Sequence, residues 1–206
     1  PGATNLVTAI ADACLDSIPM VIITGQVPQS MIGTDAFQEV DIYGITVPIT
    51  KHNFLVRSAQ ELLEVVPDAF RIAMSGRPGP VLIDVPKDVQ NQLIGVDELE
   101  LPPPAVPDPA PQLDMEAVEL AAKMINEAEQ PVLYLGGGVI ASGAAPLAVQ
   151  LAEQGGLPTT MTLMALGALP IDHPLSIGML GMHGARYTNF VLEEADVLVC
   201  VGARFD

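Results

Sequence analysis

The residues best suited to hold a ligand are glycines and a histidine near the end of the chain. Residues 178–190 read Gly-Met-Leu-Gly-Met-His-Gly-Ala-Arg-Tyr-Thr-Asn-Phe, and the glycines leave main-chain N–H groups uncovered for an extended ligand. His183 stands between Gly181 and Gly184, where it either contacts a ligand or caps the loop. Met182 either lines a pocket or fills the core. The pattern predicts a site for a nucleotide cofactor.

Three further segments follow apolar runs in the second half of the chain. A glycine triplet at 136–138 follows the run 131–135, Thr162 and Leu163 end a run that starts near 158, and residues 202–204 follow the run 197–201. Parallel strands bring their carboxyl ends to one edge of a sheet, where open α/β proteins bind ligands, so we expect these segments to cluster with Gly181. Alone, the triplet fits a tight turn equally well, because it lacks the spaced glycines and later acid of a dinucleotide fingerprint.

The first half offers fewer candidates. Phe37 and Gln38 stand on a polar loop, where an aromatic residue serves either a small satellite core or a functional site. Arg77 and Lys87 flank the apolar run 81–85 at opposite ends. Lys87, at the carboxyl end, either binds a substrate carboxylate or is a solvated surface charge. Spacing shows no Ser/His/Asp set, no paired acids and no metal ligands, so no metal site is predicted.

Composition excludes several classes of function. The chain has 206 residues, and 8 Lys and Arg against 25 Asp and Glu give a net charge of −17, which opposes nucleic-acid and anionic-membrane partners. We expect no transmembrane span and no signal peptide. Cys14 and Cys200 lie in apolar runs and are expected to be buried thiols in a reducing compartment. The opening Pro1-Gly2, without Met, suggests a piece of a longer protein.

Strand and helix patterns alternate in both halves, so the fold class is α/β: parts of two doubly wound parallel-sheet domains joined by a Pro-rich linker. In the first domain, residues 1–90, we expect a helix over 3–16 and a strand over 20–23 that ends in a loop at 24–28. A strand over 48–56 and a helix follow; Ser58 and Glu61 form its capping box, and it runs to Met74 with a kink or break at Pro67.

The Pro-rich linker covers residues 91–113, and the second domain covers 114–206. This domain is expected to begin with a helix from the N-cap Asp114 to about Glu129. A strand over 131–135, a helix over 144–154 and a strand over 158–162 follow, then a turn at 166–167. After the glycine-rich stretch, the run 197–201 is expected to be a buried strand.

Several motifs together closely resemble one family, the catalytic (large) subunits of acetohydroxyacid synthase, also called acetolactate synthase. The most specific pair is Gly-Thr-Asp-Ala-Phe-Gln-Glu at 33–39 with Gly-Met-Leu-Gly-Met-His-Gly at 178–184. Ser-Gly-Arg-Pro-Gly-Pro at 75–80, Val-Pro-Lys-Asp at 85–88 and Gly-Ala-Arg-Phe-Asp at 202–206 support it. The likeness covers nearly the whole chain except the linker.

The resemblance implies three α/β domains, two of which this chain would share. Residues 1–90 resemble the later part of the thiamine-pyrimidine-binding domain, and 114–206 the first half of the central FAD-binding, Rossmann-like domain. It also implies that the glutamate that activates thiamine, and the pyrophosphate domain with its Mg²⁺ ligands, lie outside the chain. The fragment is therefore expected to be inactive alone.

By the same resemblance, the enzyme decarboxylates pyruvate and joins the two-carbon unit to pyruvate or 2-ketobutyrate, in branched-chain amino-acid biosynthesis. Thiamine diphosphate, Mg²⁺ and a structural FAD are the implied cofactors. A homodimer or homotetramer, with a small regulatory subunit, is the implied assembly, and the location is cytoplasmic in bacteria or plastid or mitochondrial in eukaryotes. The alternatives are another thiamine diphosphate/FAD carboligase such as glyoxylate carboligase, a non-catalytic nucleotide-binding relative, or a purely structural fragment.

The family's site residues carry over by motif. Catalytic roles fall to Gln38 and Lys87, and the substrate channel to Phe37 and Met182. The thiamine pyrimidine would contact Pro1 and Asn5. The residues implied to hold FAD are Arg77, Gly137, Gly138, Thr162, Leu163, Gly181, His183, Gly184, Gly202 and Arg204.

Overall fold

The computed structural model describes residues 1–95 and 112–205, and the chain divides into two compact units, Pro1–Ala110 and Pro111–Asp206. Each unit is α/β with a parallel sheet, as the sequence predicted. Most of the predicted linker 91–113 lies outside the described residues. The assignment of 1–90 and 114–206 to particular domains therefore stays a prediction.

The first unit is built on a three-stranded sheet of order β1-β3-β2. Its strands are β1 (Met20–Gln26), β2 (His52–Leu55) and β3 (Pro80–Pro86), and its helices are α1 (Val7–Leu15), α2 (Ile42–Thr46), α3 (Leu62–Met74) and α4 (Lys87–Gln90). Short 3₁₀ helices span Ala3–Leu6, Gln29–Met31 and Val47–Ile49.

Strand β3 is central and buried along its whole length. Val81 and Ile83 on one face pack in a core with α3, while Leu82 on the other face packs with residues of α1 and α2. This alternation follows from the two-residue period of a strand, and the sheet is covered on both faces.

The second unit is built on a four-stranded sheet of order β6-β5-β4-β7. Its strands are β4 (Pro131–Leu135), β5 (Thr159–Met161), β6 (Ser176–Met179) and β7 (Val197–Val201), and its helices are α5 (Met115–Glu127), α6 (Gly137–Ala141), α7 (Ala145–Gly155) and α8 (Arg186–Glu194). A 3₁₀ helix spans Leu163–Ala165. The largest core cluster includes Leu133, Leu135, Ala152 and Met161, so α7 packs on β4 and β5.

Several predicted elements are confirmed. The strand over 131–135 has the predicted bounds, and α5 begins after Asp114, whose carboxylate accepts from the Ala117 N–H at 3.1 Å. Helix α3 continues through Pro67, so the predicted break is wrong, while the predicted kink stays a prediction; Val65 and Ala69, on either side of Pro67, are buried in the core with β3.

Other predicted bounds are wrong. Strand β1 continues through residues 24–26, which were expected to be loop, because it pairs with β3 up to Pro86. The strand expected over 48–56 is only His52–Leu55, since a 3₁₀ helix takes 47–49. Helix α3 begins at Leu62; the Ser58 hydroxyl accepts from the Glu61 N–H at 3.2 Å, but in a turn before the helix.

The second unit contains a strand that the sequence reading missed. Residues Ser176–Met179 form β6, although Gly178 there has a positive φ of 75°. Strand β7, expected to be buried, pairs with β4 alone among the described residues and is partly exposed. Cys14 and Cys200 are likewise only half-buried, which corrects the expectation of buried thiols.

Candidate functional site

A cleft of about 710 Å³ opens in the first unit, at the carboxyl ends of β1 and β3. Four of its lining residues are predicted site residues, and they come from three separate segments: Pro1, the pair Phe37 and Gln38, and Lys87. Most of the other walls are apolar, with side chains such as Leu6, Ile23, Met31, Val40 and Ile42. The cleft has the size and the mixed lining of a small-molecule site.

Lys87 gives the cleft its charge. It is exposed, it begins α4 directly after β3, and among the described residues that line the cleft it alone has a charged side chain. An ammonium group against apolar walls attracts a carboxylate more strongly than it would in open water. Its place at the cleft is compatible with binding of an anionic ligand, and its exposure is compatible with a solvated surface charge, so both interpretations of Lys87 stay open.

Phe37 and Gln38 are the central residues of a tight turn in which the Glu39 N–H donates to the Ala36 carbonyl at 2.9 Å. Phe37 is 87% exposed, so it serves no satellite core among the described residues. Gln38 has a φ of 64°, in the left-handed region that side chains other than glycine seldom adopt. The turn holds both side chains at the wall of the cleft.

Asp84 is a buried acid beneath the cleft that sequence reasoning missed. Its carboxylate accepts from the Thr24 hydroxyl at 2.8 Å and from the Gln26 side-chain amide at 2.9 Å. Burial raises the pKa of Asp84; the two hydrogen bonds oppose that shift and nearby Asp41 adds to it. The same Gln26 amide donates to the Val40 carbonyl at 3.1 Å, so Asp84 is linked through Gln26 to the cleft wall.

A second acid, Asp88, holds another segment that contributes to the cleft. The Asp88 carboxylate accepts from the Gln29 backbone N–H and from the Gln29 side-chain amide, each at 3.0 Å. These bonds lower the pKa of Asp88, with the backbone bond contributing most. Because Gln29 begins the 3₁₀ helix that ends at cleft residue Met31, the bonds anchor that segment to α4.

Two predicted ligand contacts of the first unit lie elsewhere. Asn5 is exposed on the first 3₁₀ helix and does not line the cleft with Pro1. The Arg77 guanidinium donates to the Cys14 carbonyl and to the Ser17 hydroxyl, both at 2.9 Å. Arg77 therefore caps the end of α1, since the last carbonyls of a helix lack partners within it.

In the second unit, the predicted cofactor residues follow all four parallel strands. The Gly138 N–H donates to the Gly202 carbonyl at 3.0 Å, so the turns after β4 and β7 touch. The Thr162 N–H donates to the Leu135 carbonyl at 2.9 Å, which joins the turn after β5 to the end of β4. Gly181 follows β6, and its N–H donates to the Asn189 side chain of α8 at 2.9 Å.

Several of these glycines are required by the chain itself. A Cβ on Gly138 would lie 2.9 Å from the Gly202 Cα, and one on Gly184 would lie 2.1 Å from the Met179 carbonyl oxygen. A Cβ on Gly202 would lie 2.6 Å from the Val139 nitrogen. At these positions glycine permits backbone segments to approach each other, and the predicted ligand contacts stay predictions.

Other groups at this edge remain open to a ligand. The Thr162 hydroxyl is buried without a hydrogen-bond partner among the described residues. Apart from its chain neighbours, no atom of the described residues would lie within 4 Å of a Cβ on Gly181. Leu163, His183 and Arg204 are exposed, and Met182 is 91% exposed, so the core interpretation of Met182 is wrong for the described part of the chain.

His183 lies in a turn that the backbone closes, since the Gly184 N–H donates to the Gly181 carbonyl at 3.0 Å. Because the backbone bond already closes the turn, the His183 side chain is not needed to cap it. The imidazole is therefore available to contact a ligand. No cluster of three or more possible metal ligands occurs in residues 1–95 and 112–205. No helix in those ranges is long and apolar enough to cross a membrane.

Two family models match the chain. The N-terminal TPP binding domain of thiamine pyrophosphate enzymes matches residues 1–45, and the central domain of thiamine pyrophosphate enzymes matches residues 118–206. The first match covers Pro1, Phe37 and Gln38 of the cleft, and the second covers the glycine-rich sheet edge. The chain belongs to the thiamine pyrophosphate enzymes.

Several curated relatives with similar sequences are acetolactate synthases. The chain is 66% identical over 208 residues to the acetolactate synthase isozyme 1 large subunit of Escherichia coli strain K12, covering 100% of this chain and 36% of that subunit. It is 54% identical over 209 residues to the acetolactate synthase large subunit of Parasynechococcus marenigrum, covering 100% and 34%. It is 51% identical over 209 residues to acetolactate synthase 1, chloroplastic, of Zea mays, covering 100% and 32%. The resemblance seen in the motifs is confirmed, and the chain spans 36% or less of the length of these relatives.

Proposed function

We propose that this chain is part of an acetolactate synthase large subunit that decarboxylates pyruvate and joins the two-carbon unit to a second 2-keto acid, in branched-chain amino-acid biosynthesis. The observation that carries the proposal is the cleft, which brings together Pro1, Phe37, Gln38 and Lys87 from three separate segments. An exposed aromatic ring, an amide and an ammonium group at an apolar cleft suit a small keto acid beside a heteroaromatic cofactor.

The residues at the cleft fit the pyrimidine end of thiamine pyrophosphate. Pro1 and the apolar walls offer a face for a flat ring, and the cofactor, when bound, supplies the electron sink that decarboxylation of a 2-keto acid requires. Lys87 binds the substrate carboxylate, Gln38 orients the reacting group, and Phe37 excludes water. Asn5 does not line the cleft, and it stays a predicted contact with the thiamine pyrimidine.

The edge of the second sheet fits a dinucleotide such as FAD. A bound ligand would supply a hydrogen-bond partner for the Thr162 hydroxyl, which has none in the described part of the chain, and would fill the open space beside Gly181. We assign FAD contacts to the predicted residues of that edge, which are Gly137, Gly138, Thr162, Leu163, Gly181, His183, Gly184, Gly202 and Arg204. Arg77 stays a predicted contact from the first unit, although its guanidinium already caps α1.

The described residues do not fit a Mg²⁺ site, because they include no cluster of three candidate ligands. We therefore assign no Mg²⁺ ligand to residues 1–95 or 112–205. Assembly as a homodimer or homotetramer, a small regulatory subunit and 2-ketobutyrate as second substrate remain part of the proposal. So do the cytoplasmic location in bacteria and the plastid or mitochondrial location in eukaryotes.

A chimera tests the proposal in a complete enzyme. The matching segment of the Escherichia coli isozyme 1 large subunit is replaced by this chain, and the product formed from pyruvate is measured. We expect acetolactate to form and flavin to remain bound through gel filtration. A parallel assay with glyoxylate as the sole substrate tests the alternative assignment, a glyoxylate carboligase.

The outcomes distinguish the alternatives. A folded chimera that condenses glyoxylate but forms no acetolactate would support the glyoxylate carboligase assignment. A folded chimera that retains flavin but transforms neither acid would identify a nucleotide-binding relative. One that binds neither flavin nor thiamine pyrophosphate would leave a structural role.

A further inference from the structure

Glu39 closes the loop that forms one wall of the cleft. Its carboxylate accepts from the backbone N–H groups of Gly33 and Ala36, the latter at 2.9 Å, and its own N–H donates to the Ala36 carbonyl at 2.9 Å. Ala36 is thus held by Glu39 through both its N–H and its carbonyl. These hydrogen bonds, with the one to Gly33 contributing most, lower the pKa of Glu39.

The loop needs such bonds because its backbone is unfavourable. Gly33, Asp35 and Gln38 have φ values of 80°, 56° and 64°. Asp35 and Gln38 pay a steric cost that only glycine avoids, and such conformations persist when surrounding bonds over-determine them. An anionic acceptor suits this purpose, since hydrogen bonds to a charged group are stronger than neutral ones.

The residues enclosed by these bonds are the ones that reach the cleft. Phe37 and Gln38 are the two central residues of the turn between Ala36 and Glu39. Phe37 is so exposed that packing cannot fix its position. Its placement, and that of Gln38, therefore depends on the conformation of the turn.

We infer that Glu39 is a positioning residue, whose carboxylate holds the turn so that Phe37 and Gln38 stay in place at the cleft. The inference rests on the proposed function of the cleft. It assigns Glu39 no contact with substrate or cofactor.

Hydrogen exchange of the 206-residue chain tests the hydrogen bonds directly. Glu39→Gln keeps the shape of the side chain but replaces one acceptor oxygen by a donor, so it cannot serve both N–H groups. We expect the Gly33 and Ala36 amides to exchange about tenfold faster. Glu64→Gln, an exposed change of the same kind on α3, is the matched control and should leave both amides as they are.

The acetolactate synthase chimera tests the consequence for the cleft. We expect Glu39→Gln to lower kcat/KM for pyruvate about 10- to 100-fold, because small misplacements of site groups are costly. The melting temperature should match that of Glu64→Gln, which separates positioning from loss of the fold. Glu39→Ala, which offers no acceptor, should lower kcat/KM at least as much as Glu39→Gln.

Each result decides something. Unchanged exchange at Gly33 and Ala36, or kinetics equal to those of Glu64→Gln, would overturn the positioning role. If the unmodified chimera makes no acetolactate, the proposed function fails, and the exchange measurement alone then decides whether Glu39 holds the turn.

Discussion

At the scale of single residues, Lys87 is the side chain best placed to recognise a substrate. It supplies the only side-chain charge among the described lining residues of the cleft, in a chain with a net charge of −17. A keto acid brings one carboxylate, and the walls beside Lys87 are largely apolar. In the proposed function, the ammonium group of Lys87 would therefore determine where that carboxylate binds.

Replacing Lys87 by Ala in the chimera should lower kcat/KM for pyruvate about 10- to 100-fold, the equivalent of one charge-assisted hydrogen bond. Steady-state kinetics measure the change, and flavin content should stay the same. Lys123→Ala removes an equal charge from α5, where Lys123 pairs with Glu127 at 3.8 Å, and should have no effect. Equal kinetics for the two variants would remove Lys87 from the site.

Asp84 should make stability depend on pH. Burial raises its folded-state pKa above the ordinary value of about 3.9, so the folded state binds its proton more tightly than the unfolded state. The stabilisation from this proton is complete below the unfolded pKa and is lost as pH rises through the raised folded pKa. The lowered pKa values of Glu39, Asp88 and Asp196 act in the opposite direction.

The contribution of Asp84 is isolated by difference. Urea unfolding of the chain and of Asp84→Asn, measured from pH 4 upward, should show the wild type losing stability relative to the variant as pH rises. Asp41→Asn is the control for the neighbouring charge that also raises the pKa of Asp84, and it should retain most of the decline. A difference between wild type and Asp84→Asn that does not vary with pH would contradict the raised pKa.

Phe37, Gln38 and Lys87 were singled out by the roles that the family resemblance gives them within the motifs at 33–39 and 85–88, because residue type alone left a satellite core or a surface charge equally open. Asp84 and Glu39 could not be singled out in the same way. Both are acids in a chain with 25 of them, and their roles depend on partners that only folding brings near. Thr24 lies 60 positions from Asp84, and the strand pairing of β1 with β3 places them together.

At the scale of elements, the junction of β4, α6 and the end of β7 depends on glycines, which have no side chain. Helix α6 starts directly after β4, and its first turn lies against the turn that follows β7. Gly138 and Gly202 meet with no room for a Cβ on either. The glycine triplet resembles a phosphate-binding turn, but glycine is also needed there so that the turns after β4 and β7 can pack against each other.

Gly138→Ala should destabilise the second unit by about 1–3 kcal/mol, because the added Cβ meets backbone that cannot move cheaply. Chemical unfolding measures the loss. Gly25→Ala in β1, where a Cβ would make an ordinary 3.6 Å contact with the Gln90 side chain, is the control and should cost much less. Similar losses in both variants would show that the junction tolerates a side chain.

Elements with a strong periodic signal could be predicted from sequence, and those shaped by neighbours could not. The apolar run 131–135 begins with Pro131 and is followed directly by glycines, so both bounds of β4 could be predicted from the sequence. Strand β6 is four residues long, contains a glycine with positive φ, and pairs with β5 in an irregular register. Its pairing, not its composition, makes it a strand.

At the scale of the whole molecule, each unit has cores of its own. Leu133 is fully buried in the core of the second unit, while Val81, Ile83 and Leu82 belong to cores of the first unit. No buried member is shared between the clusters of the two units. A core substitution should therefore act mainly on the unit that contains it.

Leu133→Ala should cost the second unit about 2–5 kcal/mol, the usual range for emptying a buried leucine site. Hydrogen exchange should accelerate in β4 and β5 while β3 keeps its protection. Leu198→Ala on the partly exposed β7 makes the same chemical change and should cost much less. An equal loss of protection in β3 would mean that the two units unfold together.

The partly exposed strand β7 should affect how readily copies of the chain aggregate. Its residues Val-Leu-Val-Cys-Val carry no charge, and among the described residues it is hydrogen-bonded on one side only. Such an edge is a template for pairing between copies, and the net charge of −17 is what keeps copies of this chain apart. Salt screens that repulsion, with a Debye length that falls from about 10 Å at 0.1 M to about 3 Å at 1 M. Light scattering of the chain should therefore rise with ionic strength, and the best-dispersed samples should be found in dilute buffer.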